Sequence, residues 1–159
     1  MFKFDKLVFG DLGWGDELLF ATLMTITVSI LSMGLGLCLA IITVWAKLIT
    51  SRITRFIANF YTTVVRGVPE LLVIYLIFFG GNSVVIGVAK LFGYNGYIEL
   101  NALTIVTIAI AFISATYSSE VIRAAYLAVN KGQVEAAKTL GLSKIQIFLR
   151  VMGPQIIRH

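Results

Sequence analysis

Four charged residues lie inside runs that are otherwise apolar. Arg66 and Glu70 flank Gly67-Val68-Pro69, and Glu120 and Arg123 stand three apart near the end of a second run; a fifth, Glu135, opens the polar segment Glu135-Ala136-Ala137. Ionisable side chains at membrane depth are expensive and mark solute or ion paths by default. Arg66 and Glu70 have the spacing of an i,i+4 helix pair, which would stabilise a kink, while the same two groups could serve passage or gating. Glu120 can pair with Arg123 on its own helix or reach Arg66 on another. Catalysis finds no support: the chain has one cysteine, Cys38, and one histidine, His159, so neither a disulfide framework nor a thiolate or imidazole metal site is expected. There is no set of nucleophile, base and orienting acid, and no cofactor is expected.

The elements that must carry these residues are membrane spans. With 58% hydrophobic and only 13% charged residues, the chain departs from soluble proteins, in which about 25% are charged. Its net charge of +5 is accounted for by basic loops of a membrane protein, and without a basic-aromatic module nucleic acid is not an expected partner. Residues 1–17 carry Lys3, Asp5, Lys6, Asp11, Asp16 and Glu17, unlike a cleavable signal, so the first helix is expected to be retained. Spans are expected at about 18–46, 56–81 and 102–129. Trp14 and Trp45 bracket the first as interfacial anchors, and the short loop with Lys47, Arg52 and Arg55 is placed in the cytoplasm by its charge, leaving the N-terminus outside.

Gly67 and Pro69 predict a kink or break in the second span, and Gly80-Gly81-Asn82-Ser83 predicts its end. An external segment with Lys90, Tyr94, Tyr97 and Glu99 follows. Small and hydroxyl residues recur at spacings of three and four in the first span (Thr22, Thr25, Ser29, Ser32, Gly36, Ala40, Thr43) and in the third (Thr104, Thr107, Ala111, Ser114, Ser118). Such stripes allow close helix approach in lipid or line a hydrated path. Three crossings return the chain to the cytoplasm at Asn130-Lys131-Gly132.

The segment 132–154 then reads as a bent amphipathic elbow. Gly141 suits a left-handed helix end, Ser143 and Gln146 form a capping box, and Leu142 and Ile147 are placed for a hydrophobic staple. Such an elbow can lie on lipid headgroups through its basic face. The small residues Ala136, Ala137 and Gly141 around Glu135 suit insertion into a protein groove instead.

Glu135-Ala136-Ala137, three residues, Gly141, nine residues and Val151-Met152-Gly153-Pro154 together resemble the EAA loop of membrane subunits of ABC importers, whose pattern ends in Ile-x-Leu-Pro. Val151 and Gly153 depart from it, and the glycine is expected to loosen the end of the second short helix. Upstream, Tyr61-Thr62-Thr63-Val64-Val65-Arg66-Gly67-Val68-Pro69-Glu70-Leu71 and Glu120-x-x-Arg123-Ala124-Ala125 are similar to the polar amino acid branch, of histidine, arginine and opine type. This resemblance implies an all-α membrane protein with the type I importer transmembrane fold: five spans, N-terminus outside, and the EAA loop between the third and fourth. Three spans of five are expected here, in a C-terminally truncated chain. It further implies a multi-pass permease subunit of the bacterial inner membrane, moving basic amino acids or opines.

The partners implied are a cytoplasmic ATPase, a second permease subunit, alike or different, and an extracytoplasmic solute-binding protein. Glu135, Ala136, Ala137, Gly141 and Pro154 are the implied coupling residues. Arg66, Gly67, Pro69, Glu70, Glu120 and Arg123 are candidates for gating or pathway. ATP hydrolysis is expected on the partner, because no G-x-x-x-x-G-K-[ST] occurs here. One rival reading is a secondary transporter or channel fragment in which Arg66 and Glu120 carry ions and the elbow anchors to lipid; another is a structural membrane protein assembled through its small-residue stripes.

Overall fold

The structure, a computed structural model, describes residues 13–91, 93 and 101–158. Lys3, Asp5, Lys6 and Asp11 of the N-terminal segment, Tyr94, Tyr97 and Glu99 of the expected external segment, and His159 lie outside the described residues. The elements are α1 (Gly15–Leu48), α2 (Arg52–Gly67), α3 (Glu70–Leu91), α4 (Ala102–Ala128), α5 (Lys131–Thr139), α6 (Lys144–Ile147), a π-helical turn (Phe148–Met152) and α7 (Gly153–Arg158). No strand occurs among the described residues. Two helices, α1 and α4, are long and apolar enough to cross a membrane, and α2 with α3 makes a third candidate if the bent pair is one span.

α1 has 34 residues, about 51 Å at 1.5 Å per residue. Asp16 and Glu17 in its first turn and Lys47 in its last complement the helix dipole. Trp14 and Trp45 are both exposed at its two ends. α1 and α4 run parallel, because contacts between them advance together: Ser32 Oγ donates to the Thr107 carbonyl at 3.1 Å, Gly36 faces Ala111 and Ser114, and Lys47 reaches Glu120. A Cβ at position 36 would come within 3.1 Å of the Ala111 carbonyl oxygen and 3.2 Å of Ser114 Cβ. Glycine is what lets the two backbones meet there.

The small-residue stripe of α1 therefore packs, but only over part of its length. Ser32, Gly36, Ala40 and Thr43 are buried, whereas Thr22, Thr25 and Ser29 are exposed and donate to carbonyls four residues back in their own helix. An apolar groove of about 660 Å³ opens beside that end, between Phe20, Met24 and Leu31 of α1 and Leu103 and Ile108 of α4. In its first half the expected hydroxyl face is exposed, its hydroxyls bonded to the helix's own backbone.

Between α2 and α3 the chain turns by 110°. Pro69 supplies no N–H, and Val68 before it is extended, with φ −108° and ψ 141°, as a residue preceding proline prefers. The Pro69 carbonyl then accepts from the Leu72 and Val73 amides to start α3. Gly67 was expected to permit the bend; it has no positive φ and open space around its Cβ position, so the Val68-Pro69 pair makes the bend alone. The two limbs clasp α4: Val65 of α2, Val73 of α3 and Ile113 of α4 form a buried cluster, with Tyr61, Val68, Ile77 and Phe112 against it. The Tyr61 hydroxyl donates to the Phe112 carbonyl at 2.5 Å, and their rings lie 4.6 Å apart.

α3 does not end at Gly80-Gly81-Asn82-Ser83 but continues to Leu91. Glycine costs about 1 kcal/mol in a helix interior in water. In an apolar setting nothing competes for the backbone hydrogen bonds, so the helix persists through it. Lys47, expected in a loop, instead belongs to the last turn of α1 and is buried.

Candidate functional site

The elbow is built by local backbone chemistry. Asn130 caps α5, its Oδ1 accepting from the Gly132 amide at 2.8 Å. At the other end Gly141 has φ +76°; the Gly141 amide donates to the Lys138 carbonyl at 3.0 Å and the Leu142 amide to Ala137 at 3.2 Å. These are the two bonds of a Schellman termination. Two residues on, the Gln146 amide donates to Ser143 Oγ at 3.3 Å and the Ser143 amide to Gln146 Oε1 at 2.9 Å, the capping box read in the sequence. Ile147 is buried and Leu142 half-buried.

The second limb differs from expectation. α6 is a single turn that passes into the π turn, and the helix runs on through Gly153 and Pro154 to Arg158. The Gly153 amide donates to the Phe148 carbonyl, five residues back, and a Cβ at 153 would lie 3.0 Å from that oxygen. Gly153 therefore does not loosen the limb. It accommodates the wider turn that carries the chain into Pro154, whose missing N–H interrupts the ordinary i→i−4 ladder. Gln155 ties the limbs, its Nε2 donating to Gln133 Oε1 at 2.5 Å and to the Val151 carbonyl at 2.9 Å.

Of the elbow's small residues, Ala136 is exposed but Ala137 is 4% exposed, because α5 packs against α6 and the π turn. Ala137 is small so that the limbs can close on each other. Glu135 and Pro154 are exposed. Around them stand apolar side chains turned outward, Leu140, Ile145, Phe148 and Leu149. A cavity of about 290 Å³ joins Glu135, Lys131 and Lys138 of α5 to Tyr126 of α4 and Met152 of the π turn.

The second cluster lies where α1, α2 and α4 meet. Lys47 Nζ donates to Glu120 Oε1 at 2.5 Å and to Thr62 Oγ1 at 2.7 Å, and Arg123 Nε donates to Glu120 Oε2 at 3.1 Å. The Lys47 side chain is 2% exposed and that of Glu120 27%. A buried ammonium costs several kcal/mol in lost solvation, so the carboxylate and hydroxyl that meet it are requirements of this packing. Both Glu120 oxygens are thereby occupied by cations.

Of the two pairings the sequence leaves open for Glu120, the one with Arg123 on its own helix forms. Among the described residues Arg66 pairs with neither Glu70 nor Glu120. The helix breaks between positions 66 and 70, so the i,i+4 geometry does not exist. The Arg66 guanidinium instead lies over the Tyr117 ring, 5.5 Å from its centroid, while Tyr117 also engages the Glu70 carboxylate. Sequence reasoning missed Lys47 by assigning it to a loop. The signal was present: Gly36, Ala40, Thr43 and Lys47 are spaced four, three and four, which puts the lysine on the packed stripe.

A cavity of about 400 Å³ opens beside this cluster, lined by Thr62, Thr63, Arg66, Gly67, Tyr117 and Glu120. It brings three of the six predicted pathway residues to one wall. Glu70 and Arg123 adjoin it through Tyr117 and Glu120, and Pro69 is exposed at the helix break. Among the described residues no three His, Cys, Asp or Glu side chains gather as metal ligands would.

Residues 32–159 match the family described as "Binding-protein-dependent transport system inner membrane component". The nopaline transport system permease protein of Agrobacterium fabrum is 45% identical over 153 residues, covering 96% of this chain and 65% of that protein. The octopine transport system permease protein of Rhizobium meliloti is 40% identical, covering 95% and 64%. The histidine/lysine/arginine/ornithine transport system permease protein of Escherichia coli is 33% identical, covering 92% and 64%. The chain thus spans just under two thirds of the length of these relatives. A crystal structure of an amino acid ABC transporter superposes with TM-score 0.65 at 26% identity, covering 94% of this chain and 67% of that one.

Proposed function

The chain belongs to the family of binding-protein-dependent transport system inner membrane components, and we propose that it acts as the permease subunit of an ATP-driven importer of basic amino acids or opines. The relatives' names support this reading over a secondary transporter or channel. In it the chain is a multi-pass inner-membrane protein that hydrolyses nothing itself. A cytoplasmic ATPase drives it, a second permease subunit completes the path, and an extracytoplasmic solute-binding protein supplies the solute.

The observation that carries the proposal is the elbow. It is a self-capped hairpin that holds its own shape and turns Glu135, Ala136 and a rim of Leu140, Ile145 and Leu149 outward, which suits a protein groove. Glu135, Ala136 and Pro154 are the docking candidates; Gly141 sets the bend and Ala137 the closure of the limbs. The parallel run of α1 and α4 supports its placement. Parallel spans need a return between them, which α2 and α3 provide, so the elbow falls on the side of the basic residues Arg52 and Arg55, taken as cytoplasmic.

Mechanically, α5 follows directly on α4 and α7 packs back against it. A push on the elbow therefore moves α4, which holds α1 through Glu120 and Lys47 and the α2–α3 clasp through Ile113. The helix break at Gly67-Val68-Pro69-Glu70, with Arg66, Glu120 and Arg123 beside it, is where such a motion would open or close a path. The test uses the complete protein. It should capture its ATPase on purification, and Glu135→Arg should lower uptake of radiolabelled arginine or octopine by roughly tenfold or more, about 1.4 kcal/mol or above in coupling. Undiminished uptake in that variant would sink the proposal.

A further inference from the structure

We propose that the cavity between α2 and α4 is a carboxylate-binding subsite, with Arg66 as its anion-binding group, and that Lys47 determines this preference by consuming the negative charge of Glu120. The inference deepens the importer reading and rests on it for the identity of the ligand. Two charged groups line the cavity, Arg66 and Glu120; behind them Lys47 and Arg123 pair with Glu120, and Glu70 lies near Tyr117. The carboxylate on the wall is spoken for. Glu120 gives one oxygen to Lys47 and the other to Arg123, and Glu70 is not among the residues that line the cavity.

What remains on the cavity wall is a different chemistry. Arg66 lies over the Tyr117 ring, and among the described residues no hydrogen bond or ion pair occupies its guanidinium. Thr63 lines the same wall. Unlike Thr22, Thr25 and Thr27, which donate to their own helix, it has no hydrogen-bond partner among the described residues. A guanidinium with its fork of donors exposed, next to a spare hydroxyl, is suited to a planar oxyanion. A cavity of about 400 Å³ lies within the range of small-molecule sites, roughly 300–1,000 Å³. Had Glu120 been unpaired, the same wall would have favoured the guanidinium or ammonium end of a basic solute. Lys47, coming from α1 and buried, turns that preference round.

The experiment is direct binding to the complete permease–ATPase complex in phosphatidylcholine nanodiscs, without the solute-binding protein, using L-arginine and its carboxamide, L-argininamide. At a pH low enough to keep both α-amines protonated, the two differ only in the group Arg66 is proposed to recognise. The complex should hold arginine roughly tenfold or more tighter than the amide, as loss of a charge-assisted contact implies. Arg66→Gln should weaken arginine to the level of the amide and leave the amide unchanged, with Arg66→Lys recovering part of the difference. Lys47→Met should narrow the preference by improving the amide. Equal binding of the two ligands by the unsubstituted complex, or equal effects of Arg66→Gln on both, would overturn the assignment. So would a preference that disappears on adding phosphatidylglycerol, which would give Arg66 to a net anionic lipid headgroup. Failure of the importer reading shows elsewhere, in ATPase capture and in the Glu135→Arg uptake assay, so the two can fall separately.

Discussion

The elbow and the Lys47 cluster are both polar assemblies in an apolar chain, and they are held by opposite means. The bonds at the bend itself join residues two to five apart: Asn130 to Gly132, Lys138 to Gly141, Ala137 to Leu142, Ser143 to Gln146, with one longer tie between the limbs, Gln155 to Gln133. The cluster joins residues 15 and 73 apart on three helices. The bend is therefore a property of a short stretch of chain, whereas the cluster exists only when the bundle has assembled. A docking element that must meet a separate protein benefits from the first kind of construction, and a site that must respond to helix movement from the second.

That contrast can be broken by substitution. The largest effect is expected from Lys47→Met, which leaves Glu120 with Arg123 alone; it should destabilise the complete protein by about 3 kcal/mol, the low end for a broken buried pair because Glu120 keeps partial exposure. Thermal unfolding in detergent reads the loss, and Glu120→Leu added to it should cost less than the sum of the single changes. A strictly additive result would show that the pair does not couple α1 to α4. Gly141→Ala should cost about 1–2 kcal/mol, from the left-handed backbone alone, since no atom crowds the site. Its signature is local: faster proteolysis between α5 and α6 with little change in the unfolding temperature of the whole. Smallest is Gly67→Ala, expected to be neutral within about 0.5 kcal/mol or slightly stabilising by helix propensity. A large loss there would mean that the break depends on glycine after all.

The same division explains what could be read from the sequence. The caps of the elbow were legible residue by residue, because Gly141, Ser143 and Gln146 act on their neighbours. The break at Val68-Pro69 was legible for the same reason, although Gly67 was credited with a part it does not play. The stripes predict close helix approach but not which helices meet or over what length, since Thr22, Thr25 and Ser29 satisfy themselves and leave the contact with α4 to Ser32, Gly36, Ala40 and Thr43. Lys47 was misplaced because charge usually signals a loop, and only a partner 73 residues away makes its burial tolerable. That Ala137 would be buried against the chain's own second limb could not be read from its neighbours in sequence, because the contact depends on how the limbs close. Gly153 serves the π turn, whose wider hydrogen-bonding leaves no signature in the residue pattern.

The separation of Lys47 from Glu120 also bears on how the protein is made. A ribosome adding about 5–20 residues per second needs roughly 4–15 s to travel from one to the other. Until Glu120 is made, the ammonium at the end of α1 has no carboxylate, only the Thr62 hydroxyl supplied 15 residues on, and its four-carbon stem can hold it at the headgroups. Only when α4 arrives can the lysine be drawn inward, so the bond that fixes α1 against α2 and α4 closes late, after the first helix has already been committed to the bilayer.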